Sequence, residues 1–305
     1  MPPSTATRRQ TIANPHQQPT VGENPQLLSD QDRPVRLSVG RLTGLLVFHG
    51  GALLAPWTFT VGGATTGAVL FLLTGLFGVG LGYHRLLCHR SFRTTPWLRY
   101  PFAFLGVLAF QEGPLTWCAI HRLHHRHADT DQDPQMSGRG FLWTHVLWAV
   151  ADLNGGLLPG QSLTVVADLR REPVLYWMER LLYAVNALFA FSLFLFGWLF
   201  EDLALGLSLL VWGFFLRIVL GWHATLLVNS VNHRWGYRNY PSRDNSQNCW
   251  WVALLTFGEG WHNNHHHRPR CAAHGRRWFE IDMTYGVIRL LESCGLAHGV
   301  VHPPR

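Results

Sequence analysis

Three histidine runs carry the chemistry open to this chain: His84 with His89, His121 with His124 and His125, and His262 with His265 and His266. In an α-helix, positions i, i+3 and i+4 fall within an arc of about 100°. The second and third runs can therefore each aim three imidazoles one way. His84 and His89 are five residues apart, about 140° around a regular helix. They face two different ions, or the helix loosens between them. A neutral imidazole is the commonest metal ligand and suits iron, zinc, copper or nickel. Eight histidines exceed one tetrahedral site, so two ions are the simpler count. A zinc peptidase would carry His-Glu-x-x-His, but Arg122 and Asn263 follow His121 and His262.

The rest of the chain must hold these rings together. Of 305 residues, 48% are hydrophobic and only 14% charged, a balance that asks for membrane spans. Four apolar stretches are predicted to span: 42–59, 64–83, 181–200 and 203–228. The first two form a hairpin across a tight turn at Thr60–Gly63, and only Glu201 and Asp202 separate the last two. The apolar runs Leu98–Phe110 and Phe141–Val150 are too short to span, and read as interfacial or re-entrant helices. Residues 1–38 are rich in Pro, Gln, Thr, Ser and Asn and read as a disordered tail before a single domain over 39–305. Arg8-Arg9 has no apolar region behind it that would make a twin-arginine signal.

The net charge of +7 comes entirely from arginine. The 60–66 connection is uncharged, the 200–203 connection carries two acids, and every arginine except Arg217 lies in the other segments. Positive charge marks the cytoplasmic side. Both termini and all three histidine runs are thus expected there, capping a four-helix bundle, and the basic surplus needs no nucleic acid. Arg217, inside the fourth span, is expected to snorkel toward the interface. The five cysteines include no CxxC pair and read as reduced thiols.

Taken with their surroundings, these runs resemble the membrane-bound fatty acyl desaturases, of the stearoyl-CoA and bacterial acyl-lipid delta-9 type. The likeness covers about Leu42 to Leu296. It includes Gly82-Tyr83-His84-Arg85-Leu86, the Asn229…His233 element, Gly258-Glu259-Gly260-Trp261-His262 and the stretch from Trp278 to Tyr285. The resemblance implies an all-α membrane protein with a cytoplasmic di-iron site. Its ligands would be His84, His89, His121, His124, His125, His233, His262, His265 and His266, with Asn229 reaching a metal through water. It also implies that Gln111, Trp117 and Thr225 shape a bent acyl tunnel. At the head-group end the chain departs from the animal enzymes: Ala119 and Ile120 stand where an Arg-Asp pair contacts coenzyme A, and Glu112 replaces an Asn. The pattern from Gln111 to Trp117 looks more like bacterial and cyanobacterial acyl-lipid desaturases. The head group stays open between lipid, coenzyme A and acyl carrier protein.

The activity so implied is O2-dependent insertion of a cis double bond, at C9–C10, into a long-chain acyl group. Two electrons must come from a separate ferredoxin or cytochrome b5 type donor, since no haem or flavin motif is present. Asp129, Asp133 and Glu259 are candidate carboxylates to orient imidazoles. His127, His145, His223, His267 and His274 read as hydrogen-bonded or exposed, and His16, His49, His298 and His302 as incidental. A related hydroxylase or ketolase is the nearest alternative. A metal transporter would want its ligands near the bilayer midplane, whereas these lie beyond the helix ends.

Overall fold

A computed structural model describes residues 36–135, 139–151 and 163–304. Most of the predicted tail, with Arg8, Arg9 and His16, lies outside the described residues. The described chain is mostly helical. Among the described residues, three helices are long and apolar enough to cross a membrane: α2 (Val61–Cys88), α6 (Leu182–Phe200) and α7 (Leu203–Ser230). The first helix, α1 (Val39–Leu53), has only 15 residues and gives way to a 3-10 turn at Ala55–Thr58. The predicted span 42–59 is therefore not one continuous helix. Pro56 accounts for the break, because it has no N–H to continue the ladder and disfavours helical backbone in the residue before it.

Between α2 and α6 run α3 (Pro96–Leu108), α4 (Pro114–His127) and α5 (Pro173–Arg180), each with proline in its first turn, where a missing N–H is harmless. After α7 come α8 (Trp250–Leu255), α9 (His262–His267) and α10 (Met283–Ser293). A two-residue antiparallel pair, β1 (Arg93–Thr94) with β2 (Ala297–His298), ties the C-terminal segment to the chain just after His89.

The helix starts are set by their caps. Thr60 accepts from the Gly63 N–H at 2.9 Å and Asp202 from Leu205 at 2.8 Å. Thr60 Oγ1 also donates to Ser208 Oγ at 2.8 Å, which puts the starts of α2 and α7 side by side. Small residues then let backbones touch, as at membrane helix interfaces. A side chain at Gly67 would collide with the Trp212 carbonyl, and one at Gly78 with the backbone of Leu105 and Gly106 in α3. One buried cluster joins Tyr83, Leu87 and Cys88 of α2 to Leu115, Cys118 and Leu123 of α4 and Leu175 of α5. A second joins Leu81, Leu86 and Phe92 to Ala272 and Ile288. Between them these clusters fix α2, α4 and α10. All five cysteines are free thiols.

Candidate metal centre

From Leu73 to Cys88, α2 is a π-helix, with the wider i→i+5 turn that often marks functional sites. The His89 N–H bonds to the His84 carbonyl at 3.0 Å, closing one such turn. Residues five apart now share a face. Of the two options open from spacing, the loosened helix is the one found. His84 and His89 point into one group with His121, His125 and His265. A second group holds His124, His233, His262 and His266. Within each group the ligand atoms lie within 4.8 Å of one another. On α4, His121 and His125 at i and i+4 serve the first group, while His124 turns to the second. On α9, His265 serves the first, and His262 and His266 serve the second.

The ring nitrogens are spaced for a shared cation. In the first group, Nε2 to Nε2 distances are 3.0 Å for His84–His265, 2.9 Å for His89–His121, 3.0 Å for His121–His125 and 2.8 Å for His125–His265. In the second, His233 and His262 approach to 3.1 Å. Two nitrogens about 2.1 Å from one ion and at right angles to it would lie about 3.0 Å apart. The Nε2 atoms of His124 and His266 are buried with no hydrogen-bond partner among the described residues. Such orphaned atoms are what a metal ligand looks like without its metal. The donor set fits a pair of transition-metal ions.

Each group is braced from behind by carboxylates. Asp133 accepts from His124 Nδ1 at 3.0 Å, Asp129 takes His233 Nδ1 at 3.1 Å, and Glu259 takes His84 Nδ1. The three carboxylates singled out in the sequence are thus within hydrogen-bond reach of imidazoles. A fourth, Asp244, is bonded to His266 Nδ1 at 2.8 Å, and spacing gave no sign of it. A bond at Nδ1 leaves Nε2 free to face the metal. Glu259 is itself held by Arg85 Nη2 at 2.9 Å. Burial opposes its ionisation, but Arg85, His84 and His274 outweigh this and keep its carboxyl well below the usual range. His274, fully buried, completes a small cluster with His84 and Glu259.

Burial, then mutual repulsion, pushes His89, His121, His125, His262 and His265 well below the ordinary histidine value. His266 is lowered to about 4, burial winning over Asp244. His124 goes the other way: burial works against its charge, yet Asp133, Asp129 and Asp244 prevail. The set is therefore mostly neutral at pH 7, the protonation state a metal requires.

Two cavities, of about 290 and 70 Å³, open beside the histidines and share one stretch of wall. That stretch consists of Gln111, Trp117, His121, Thr225 and Asn229, so the three residues expected to shape a bend all belong to the wall the two cavities share. Gln111 Nε2 donates to Thr225 Oγ1 at 2.9 Å and to the Gly221 carbonyl at 3.1 Å. Trp117 stacks on His121, 5.0 Å between centroids. The loop carrying Gln111 is strained, since Phe110 and Glu112 both have positive φ, 55° and 91°. Its cross-links hold that strain in place. The Trp222 Nε1–H donates to the Phe110 carbonyl at 2.7 Å, and Arg41 pairs with Glu112 at 3.0 Å. Arg41 and Glu112, both partly exposed, also line the larger cavity.

One further expectation fails. Arg217 does not snorkel: it is 2% exposed and spends its bonds on the Gly213 and Leu108 carbonyls. A carbonyl left free at the end of α3 reaches it before any interface does. Of the histidines expected to be incidental, His302 bonds Glu292 at 3.0 Å, and His49 joins a chain of rings. Its Nε2 lies 3.0 Å from His223 Nε2, and His223 Nδ1 lies 3.0 Å from His145 Nε2. No motif links these three, which come from separate segments.

Comparison with known proteins accounts for this arrangement. The chain is 42% identical over 261 residues to the sn-2 palmitoyl-lipid 9-desaturase of Nostoc sp. (strain 36), covering 85% of this chain and 88% of that one. It is 42% identical over 258 residues to the sn-1 stearoyl-lipid 9-desaturase of Anabaena variabilis, with 84% and 90% covered. To the Delta-9 acyl-lipid desaturase 1 of Arabidopsis thaliana it is 37% identical over 270 residues, with 88% and 85% covered. The family model for fatty acid desaturases matches residues 41–292, a stretch that takes in every histidine of both groups, and the chain belongs to the fatty acid desaturase family.

Proposed function

We propose that this desaturase inserts a cis double bond at C9–C10 of a long-chain acyl group carried on a membrane lipid. Its metal would be two iron ions, one held by His84, His89, His121, His125 and His265, the other by His124, His233, His262 and His266 with Asn229 through water. The observation that carries the reading is that histidines of both groups line a pair of largely apolar cavities that share one stretch of wall. The regiochemistry and the lipid carrier follow the relatives, which are named as 9-desaturases acting on lipid-bound palmitoyl and stearoyl groups. Ala119 and Ile120, apolar where coenzyme A would want charge, support the same carrier.

When bound, the irons supply O2 activation. In the net reaction a –CH2–CH2– unit, O2, two electrons and two protons give –CH=CH– and two waters. The protein's own share is placement. The mouth at Arg41 and Glu112 is wet enough for a head group, and the apolar walls beyond take the chain. Trp117, packed on His121, and the bonded pair Gln111 and Thr225 bend that chain where it passes the histidines, which favours a cis product. The walls also keep bulk water from the reacting carbons. The electrons come from a separate ferredoxin or cytochrome b5 type protein, drawn by the arginine-rich face.

In the membrane, α1 with its following turn is the fourth crossing beside α2, α6 and α7. The uncharged and acidic turns at 59–60 and 201–202 face away from the cytoplasm, and both termini and the metal centre face it. Residues 39–305 form the catalytic domain. Lipid analysis of a desaturase-deficient host expressing the chain should show new cis-9 acyl groups in glycerolipids. Hydroxy or keto acyl products would replace this reading with a hydroxylase or ketolase, and metal uptake without lipid change would replace it with a transporter.

A further inference from the structure

Arg217 is a buried cation that the reaction outlined above does not use. Its Nε donates to the Gly213 carbonyl at 3.0 Å and Nη1 to the Leu108 carbonyl at 2.6 Å. Nη2 is buried and has no acceptor among the described residues. A guanidinium stays charged, and a buried donor without an acceptor is costly. The residue lines the smaller cavity. Along α7, Asn229, Thr225, Gly221 and Arg217 follow at four-residue steps and all line that cavity. This face runs from the metal centre, past the wall shared by the two cavities, to Arg217, about 12 Å beyond Thr225 at 1.5 Å per residue. Arg217 is absent from the larger cavity, the one with the charged mouth. Phe71, Leu255 and Phe257 also line the smaller cavity, so its orphaned donor stands among walls that suit a hydrocarbon chain.

We propose that Arg217 is the end stop of the acyl path and a binding point for an oxygen acceptor there. A methyl-ended chain fits up to the length that still leaves room in the cavity for a water molecule to accept from Nη2. A longer methyl end would strand that donor, whereas a chain ending in a hydroxyl would satisfy it. Chain length is thus read by hydrogen bonding as well as by space. This rests on the acyl reading of the two cavities.

The test uses the full-length enzyme in membranes of a desaturase-deficient host supplied with saturated fatty acids of stepped length, and with their ω-hydroxy analogues. Wild type should show a sharp upper length limit. Arg217→Met, which keeps the bulk of the stem, should raise conversion of the first chain beyond that limit, relative to the best chain, about tenfold. Wild type should convert the ω-hydroxy chain with the same number of heavy atoms as that rejected methyl chain. An Arg217→Met enzyme that forms double bonds with the wild-type length profile overturns the proposal. If Arg217→Met does not accumulate, wild type decides alone: equal rejection of hydroxyl and methyl ends overturns it. A wild type that desaturates no chain of any length sinks the functional reading, and the end stop with it.

Discussion

Asp244 shows how much one side chain can contribute without touching a metal. It bonds His266 Nδ1 at 2.8 Å and is fixed in turn by the Ser246 N–H at 3.0 Å. Burial alone would raise its pKa, yet His266 and Ser246 hold it far below the carboxylate range. Asp244→Asn should therefore keep the fold but weaken iron binding or turnover by about 10- to 100-fold, read as iron content and double-bond formation in the same purified sample. An unchanged iron content and rate would show that the contact is idle. His265→Ala is the harsher case. Its Nε2 meets both His84 and His125, at 3.0 and 2.8 Å, so its loss should abolish desaturation while the protein still inserts into membranes. The histidines of α4 and α9 were legible because their spacing repeats a helical period, whereas His233 stands alone and is indicated only by resemblance. Asp244 was not: nothing in Pro241-Ser242-Arg243-Asp244 distinguishes it from any turn acid, and its partner is 22 residues away.

At the scale of elements, α9 is the weak point that the structure reinforces. A six-residue helix cannot hold itself in shape, yet it carries three of the imidazoles of the two groups. Its two asparagines, which look like spacers in His262-Asn263-Asn264-His265-His266, do the anchoring. Asn264 Oδ1 accepts from Asn239 at 2.8 Å and Asn248 at 3.0 Å, and its Nδ2 donates to the His274 carbonyl and to Glu280, both at 2.8 Å. Asn263 Oδ1 accepts from the Asn239 and Tyr240 N–H groups at 2.9 and 3.0 Å. Asn264→Leu would leave several buried partners unsatisfied, at about 1–3 kcal/mol each. A fall of several degrees in the melting temperature of the detergent-purified protein, with loss of iron, is expected. An unchanged melting temperature would remove the anchoring role. Hydropathy revealed α2, α6 and α7 because a span needs a long apolar run. It could not show that α1 stops at Leu53, or that α2 widens at Leu73, since both depend on backbone bonding rather than on which residues are apolar. The burial of Arg217 is hidden for a related reason: its partners are carbonyls, and carbonyls carry no sequence label.

The molecule as a whole gathers many imidazoles in one dry place and keeps them neutral, which ties its stability to pH. Burial first, and neighbouring histidines second, hold His89, His121, His125, His262 and His265 well below their unfolded value, with His266 and His274 at about 4. For a base whose folded pKa is depressed, the unfolded chain binds more protons once the pH drops below the unfolded value, about 6.5 for histidine. Stability then rises with pH across that interval and is lost on acidification. Each such histidine contributes a slope of up to about 1.4 kcal/mol per pH unit. The depressed carboxylates Asp168, Asp244 and Glu259 also lose their stabilising effect in acid, but their unfolded values are near 4, so they act only below that. Iron-stripped protein should thus lose melting temperature steeply between about pH 6.5 and 4, before the carboxylates titrate. Adding ferrous iron at pH 7.5 should raise the melting temperature, because an ion that binds only the folded form stabilises it, and the same ion should be expelled over the acid interval as protons take its ligands. Melting curves of the stripped and iron-loaded protein from pH 8 to 4 test both halves together. A stripped protein indifferent to pH above 4 would mean that the rings already carry protons in the fold, and a cluster so charged would not serve as a metal centre.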